Sequence, residues 1–172
     1  MILAVCPLSR LDEHLAAHRP SHLVSLLSPA AEPPPVEDVE RLHLAFHDIA
    51  EPRADLIAPS ADTIAALLAF AEGWTGERPL LLHCYAGVSR STAAAFILAC
   101  ARRPDRDEAE LAKTLRRLSP SATPNRLMVA LADAALDRDG RMSAAIEAIG
   151  RGADCFEGEA FAWDLAESLI SR

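Results

Sequence analysis

The apolar residues of the first quarter of the chain come in short runs, Ile2 to Val5, Leu23 to Leu27 and Leu42 to Phe46, separated by polar or proline-rich stretches. Runs of this length bounded by turn residues predict strands. Leu11 to His18 predicts a short helix between the first two, and the prolines of Pro29 to Pro35 predict a surface loop. From Ser60 to Trp74 the spacing changes. Ile64, Leu67, Leu68, Ala71 and Trp74 share one helical face after Pro59-Ser60 and before Gly76. Pro79 then leads into Leu80-Leu81-Leu82, a continuous apolar run that predicts a strand buried on both faces and stops at His83-Cys84.

Beyond Ser91 the pattern predicts only helices. The alanine-rich stretch Ser91 to Ala101 ends where Pro104 forbids continuation, and Leu111, Leu115 and Leu118 mark a second helix closed by Pro120. Thr123 and Pro124 predict the N-cap and first turn of a third, running to about Leu136. Met142, Ile146 and Ile149 suggest a fourth, and Phe161, Leu165 and Leu169 a terminal one. Strands first and helices last predict an α/β fold with a central, mainly parallel sheet of four or five strands, flanked by helices and followed by a helical C-terminal half. No repeat or linker divides residues 1–172, so one domain is expected, with about 137–172 a helical extension packed on it.

Composition narrows the function classes. The 51% hydrophobic content suits one sizeable core, and a net charge of -8 with 24% charged residues has neither the signature of disorder nor the basic footprint of a nucleic-acid binder. The apolar start, Ile2 to Val5, is too short for a signal peptide or a membrane span, so a soluble, cytoplasmic protein without nucleic-acid or membrane partners is expected. Cys6, Cys84, Cys100 and Cys155 lack zinc-ribbon spacing and read as reduced thiols.

The chemistry concentrates in His83-Cys84-Tyr85-Ala86-Gly87-Val88-Ser89-Arg90-Ser91-Thr92, at the junction of the buried strand and the alanine-rich helix. A loop that leaves a strand and enters a helix turns backbone N–H groups inward, and the helix N-terminus adds positive potential; phosphate is the natural guest. The backbone of Tyr85, Ala86, Gly87, Val88, Ser89 and Arg90 is expected to bind it, with Gly87 supplying a positive φ. The planar fork of Arg90 can hold two phosphate oxygens. A cysteine at the base of the cradle feels the same field, which favours thiolate, and Cys84 would attack phosphorus to give a phosphocysteine. Ser91 would donate to the sulfur as it leaves again, and His83 would order the loop through its backbone. A free cysteine is most often a small buried hydrophobe. Here the added His, Gly and Ser at fixed offsets put chance occurrence at a given position on the order of one in a hundred thousand from average residue usage, which favours chemistry.

This segment resembles the signature loop of the protein tyrosine phosphatases, and its Ser89-Arg90-Ser91 ending is more similar to the dual-specificity and bacterial branch than to the large receptor-type enzymes. The resemblance implies the phosphatase fold from about Leu42 to Pro124-Asn125-Arg126, a phosphorylated protein or peptide as partner, and no metal or other cofactor. It also implies an upstream Asp that protonates the leaving group. Asp48 fits best, on a loop with Ile49-Ala50-Glu51-Pro52-Arg53; Glu51 and Asp55 are its rivals, and no Trp-Pro-Asp triplet is present. Phosphotyrosine is the first expectation, with phosphoserine and phosphothreonine close behind, because Tyr85, Ala86, Val88 and Ser89 are uncharged whereas phosphoinositide enzymes of the superfamily usually carry basic residues there. A silent phosphate-binding module is the rival from another class. Low-molecular-weight phosphatases place the loop near the N-terminus, unlike this chain, and rhodanese-type loops lack the Arg-Ser pair. His14, His18 and His22 recur at four-residue spacing, but Pro20 breaks any helix between them, so a metal site is not expected. Cys6 is weighed as a thiol that could form a redox disulfide with Cys84, with burial its ordinary role.

Overall fold

The computed structural model describes residues 1–166. The apolar runs become strands β1 (Ile2–Pro7), β2 (His22–Leu27), β3 (Glu40–Ala45) and β4 (Leu80–Cys84). A fifth, β5 (Phe161–Asp164), completes a sheet in the order β3-β2-β4-β1-β5. The first four are mutually parallel and β5 is antiparallel to β1, so the sheet is mixed and mostly parallel. The central strands β1, β2 and β4 are covered on both faces, as their mainly apolar sequences require.

The helices are α1 (Leu11–His18), α2 (Ala61–Glu72), α3 (Arg90–Arg102), α4 (Glu108–Leu118), α5 (Arg126–Ala135) and α6 (Arg141–Ile149). Ser60 starts α2 through a capping box with Thr63. Every residue of α3 from Arg90 to Cys100 is buried, which its small and apolar composition permits, so this helix runs through the core. The larger core packs α2 through α6 on one face of the sheet. A smaller cluster on the other face joins Ala4, Cys6, Leu23 and Leu81 to Leu11 of α1. Among the described residues no helix is long and apolar enough to cross a membrane.

Two expectations are corrected. Phe161 and Leu165 do not begin a terminal helix: Phe161 and Trp163 are buried and Ala162 is exposed, a two-residue alternation that pairs with β1, and Leu169 lies outside the described residues. The i, i+4 spacing competed with this alternation, and the aromatic residues at 161 and 163 favour a half-buried edge strand. The N-cap of α5 is Asn125 rather than Thr123, its Oδ1 accepting from the Met128 N–H at 3.0 Å.

Candidate active site

The signature segment lies where the pattern placed it, with Cys84 ending β4 and Arg90 opening α3. Gly87 has φ of 70°, and a Cβ there would stand 2.9 Å from the Pro7 nitrogen, so both conformation and the close passage of β1 demand glycine. The carbonyls of the loop are held from outside. Tyr85 O accepts from Leu8 N at 3.1 Å, Ala86 O from Gly158 N at 2.9 Å, Val88 O from Thr123 N at 2.9 Å and Ser89 O from Asn125 N at 3.3 Å. The peptide bonds of this loop are trans, so each outward carbonyl turns the next N–H, those of Ala86, Gly87, Ser89 and Arg90, to the opposite side. A concave ring of donors results, with Gly87 N–H already pointing at Cys84 Sγ at 3.2 Å.

Cys84 sits at the base of this ring, 2% exposed, with the Ser91 hydroxyl 3.2 Å from its sulfur. Arg90 is folded over the same site: its Nη1 donates to Phe46 O at 3.0 Å and reaches Ser28 Oγ at 3.5 Å. Its Nε is buried without a partner. A charged donor orphaned in this way is costly unless an anion arrives to accept from it.

Asp48 is bound to the signature loop across a large sequence gap. Its Oδ1 accepts from Ser89 Oγ at 2.7 Å and from Asn125 Nδ2 at 2.8 Å. The same Nδ2 reaches Ile49 O at 3.2 Å, so one amide holds both the carboxylate and the backbone beside it. The acid loop is pinched at its base by His47 N to Ile57 O at 2.7 Å and Ile57 N to His47 Nδ1 at 2.9 Å. Glu51 and Asp55 are exposed on this loop, and Asp48 is the carboxylate joined to the cradle. Asn125 escaped the sequence reading as a site residue, and Ser89 was read for its backbone alone. The Pro124-Asn125 pair was the available signal; Ser28 and the Phe46 carbonyl had none.

His83 is fully buried, and its Nε2 lies 2.7 Å from Ser25 Oγ on β2. The ring therefore braces the loop through a neighbouring strand, not through loop backbone as expected. The two residues are in register on β4 and β2, so their side chains share a face and meet. Burial, with His43 adding repulsion, pushes His83 down to about 4. It is neutral at pH 7. Cys6 is in register with His83 and so points to the sheet face opposite Cys84. Burial, reinforced by Cys84, pushes its thiol up to about 12, and both facts remove it as a partner for a Cys84 disulfide. His14 and His18 stack at 5.3 Å between ring centroids while His22 belongs to β2, and among the described residues no cluster of three or more His, Cys, Asp or Glu side chains could hold a metal.

No family model matches the sequence, and no curated protein matches it. Solved structures do. The chain is similar to DUSP15, with a TM-score of 0.63 at 15% identity over 85% of this chain and 90% of that one. It is similar to human DUSP28, with a TM-score of 0.59 at 17% identity over 86% and 95%. The human tyrosine phosphatase-like serine/threonine/tyrosine-interacting protein gives 0.60 at 17% identity over 80% and 92%. The fold is that of the protein tyrosine phosphatases, in its dual-specificity-like form.

Proposed function

We propose that this chain is a cysteine-dependent phosphomonoesterase acting on phosphotyrosine in proteins, with phosphoserine and phosphothreonine as secondary substrates. The observation that carries the reading is the coincidence at one sulfur: Cys84 Sγ has the Gly87 N–H and the Ser91 hydroxyl each at 3.2 Å, beneath a ring of inward N–H groups and the orphaned Nε of Arg90. Binding alone needs the ring and the arginine. It does not need a thiol at the base with a hydroxyl ready to serve it.

In the first step the Cys84 thiolate attacks phosphorus; an S–P bond forms, the ester O–P bond breaks, and Asp48 gives its proton to the departing phenoxide. The cradle N–H groups and Arg90 stabilise the three equatorial oxygens, where charge is spread in the transition state. In the second step water attacks the phosphocysteine, its proton passes to Asp48, and the S–P bond breaks. Ser91 donates to the sulfur as it leaves. Neutral His83 is no base in this scheme and acts as a brace. The uncharged side chains of Tyr85, Ala86, Val88 and Ser89 offer nothing for a second phosphate, which favours a singly phosphorylated aryl group over a polyphosphorylated headgroup.

The test is hydrolysis of p-nitrophenyl phosphate in the presence of chelator. Wild-type protein should turn over, and Cys84→Ser should lose at least about 10⁴-fold while keeping its fold and its affinity for phosphate. Retained turnover in the variant, or loss of wild-type activity on chelation, would remove the mechanism.

A further inference from the structure

Four large apolar side chains stand exposed among the described residues: Leu56 (38%), Ile57 (56%), Tyr85 (64%) and Phe156 (89%). Single exposed apolar residues need no explanation, but these four fall on only three segments, and all three border the cradle. Leu56 and Ile57 close the acid loop at its stem, where Ile57 N bonds His47 one residue before Asp48. Tyr85 follows the nucleophile directly. Phe156 stands on the segment 150–160 between α6 and β5, two residues before Gly158, whose N–H bonds Ala86 O within the signature loop.

That segment is built as a fixed strap. The Arg116 guanidinium donates to the carbonyls of Ile149, Gly150, Arg151 and Ala122 at 2.9–3.2 Å. Gly152 N bonds Thr123 Oγ1 at 3.1 Å, Ala153 N bonds Pro120 O at 2.9 Å, and Glu157 accepts from Ser9 at 2.9 Å. A Cβ at Gly158 would lie 2.9 Å from Gly87 O, so strap and cradle touch backbone to backbone. Anchored on both sides, its crest holds Phe156 in solvent with no packing that would account for it. Between the crest and Ser89 lies a pocket of about 230 Å³, lined also by Thr123, Arg151, Asp154 and Cys155. Ser89 is the residue whose hydroxyl holds Asp48, so the pocket adjoins the site of chemistry.

We propose that the strap and the acid-loop stem form a substrate-selecting rim that binds a phosphorylated polypeptide through apolar residues on both sides of the phosphorylated one, Phe156 and the pocket taking one flank and Leu56-Ile57 the other. The inference rests on the phosphatase reading for its central anchor. Exposed apolar side chains on three separate segments fit a ligand that continues on either side of the phosphorylated residue, which calls for a polymer. The interspersed charges decide its kind. Arg151 and Asp154 pair with each other at 2.5 Å, which leaves Glu51, Asp55, Glu157 and Glu159 against Arg53. Such a rim repels an anionic lipid surface and acidic flanking residues alike, and accepts apolar or basic ones. A crest held rigid before binding adds little ordering cost when the peptide docks.

The experiment compares two phosphotyrosyl peptides, one flanked by Leu and Phe and one by Asp and Glu, with p-nitrophenyl phosphate and with vesicles carrying a phosphoinositide. Turnover is measured on the wild type, Phe156→Ser and Ile57→Ser, and binding of both peptides on Cys84→Ser. The apolar-flanked peptide should be preferred about ten-fold in kcat/KM and in affinity, and each rim variant should lower its kcat/KM about five-fold, through KM, with p-nitrophenyl phosphate hydrolysis unchanged in Phe156→Ser. Equal use of the two peptides, rim variants that leave the peptide KM in place, or faster release of phosphate from vesicles than from either peptide would overturn the proposal. Peptide discrimination by Cys84→Ser with no turnover by the wild type would uphold the rim and overturn the phosphatase reading instead.

Discussion

The Cys84 loop and the Asp48 carboxylate are built by different means. Residues 83–91 bring their functional groups together in one stretch: a strand end, a glycine with φ of 70°, and a helix start, with the sulfur and its hydroxyl seven residues apart. Asp48 is held by Ser89, 41 residues later, and by Asn125, 77 residues later, and none of the three predicts the others. In the first the functional residues are local, although Leu8, Thr123, Asn125 and Gly158 hold the loop carbonyls from elsewhere in the chain. The second has no local part, so it is the one that substitutions at a distance loosen most.

The largest effect that tests this contrast is on the acid itself. Asp48→Asn should slow an aryl phosphate with a poor leaving group by about 10²-fold and one with a good leaving group by much less, because only the poor one needs the proton. Equal losses on both, measured as kcat across a leaving-group series, would take Asp48 out of that role.

A smaller effect belongs to the residues that hold it. Ser89→Ala removes one of the two bonds to Asp48 Oδ1 and should reproduce the leaving-group dependence at about 10-fold. Asn125→Asp keeps the acceptor that caps α5 while replacing the donor to Asp48 and to the Ile49 carbonyl with a like charge. The expected result is a steeper leaving-group dependence and a shifted alkaline limb of the pH–rate profile, where the general acid loses its proton. A uniform loss across leaving groups would mean that the pair only supports the fold.

The smallest effect is on stability and concerns the brace under the nucleophile loop. His83 titrates near its ordinary 6.5 when unfolded and is pushed down to about 4 when folded, so the unfolded chain binds more protons between those values. The contribution is fully present above about 6.5 and is lost as pH falls toward 4. By pH 5.5 about 1 kcal/mol should be gone, read as a falling denaturation midpoint that His83→Gln flattens. No difference in slope between wild type and variant would contradict the assignment.

The same contrast explains how much the sequence disclosed. β1 to β4 and the six described helices were legible because apolar runs and helical stripes are local, and so was the place of Cys84, Gly87, Arg90 and Ser91 at the junction of β4 and α3. Asp48 was legible only through the family resemblance. Asn125, Ser25 and Ser28 were not, since their roles depend on register between strands and on which carbonyl a side chain meets after folding. β5 was misread because Phe161 and Leu165 fit a helical spacing as well as Phe161 and Trp163 fit a strand; pairing with β1 decided between them. The strap at 150–160 carries no periodicity at all, and its place beside the cradle follows from the bonds of Arg116 and Gly158.

The central claim is that phosphate passes through a covalent bond to Cys84, and the direct measurement is mass spectrometry of protein quenched with acid during turnover of p-nitrophenyl phosphate. The account predicts the added mass of one phosphoryl group on the peptide containing Cys84, absent from Cys84→Ser and accumulating further in a variant whose second step is slowed, Ser91→Ala. Turnover without that adduct, or the same mass found on another residue, would contradict it.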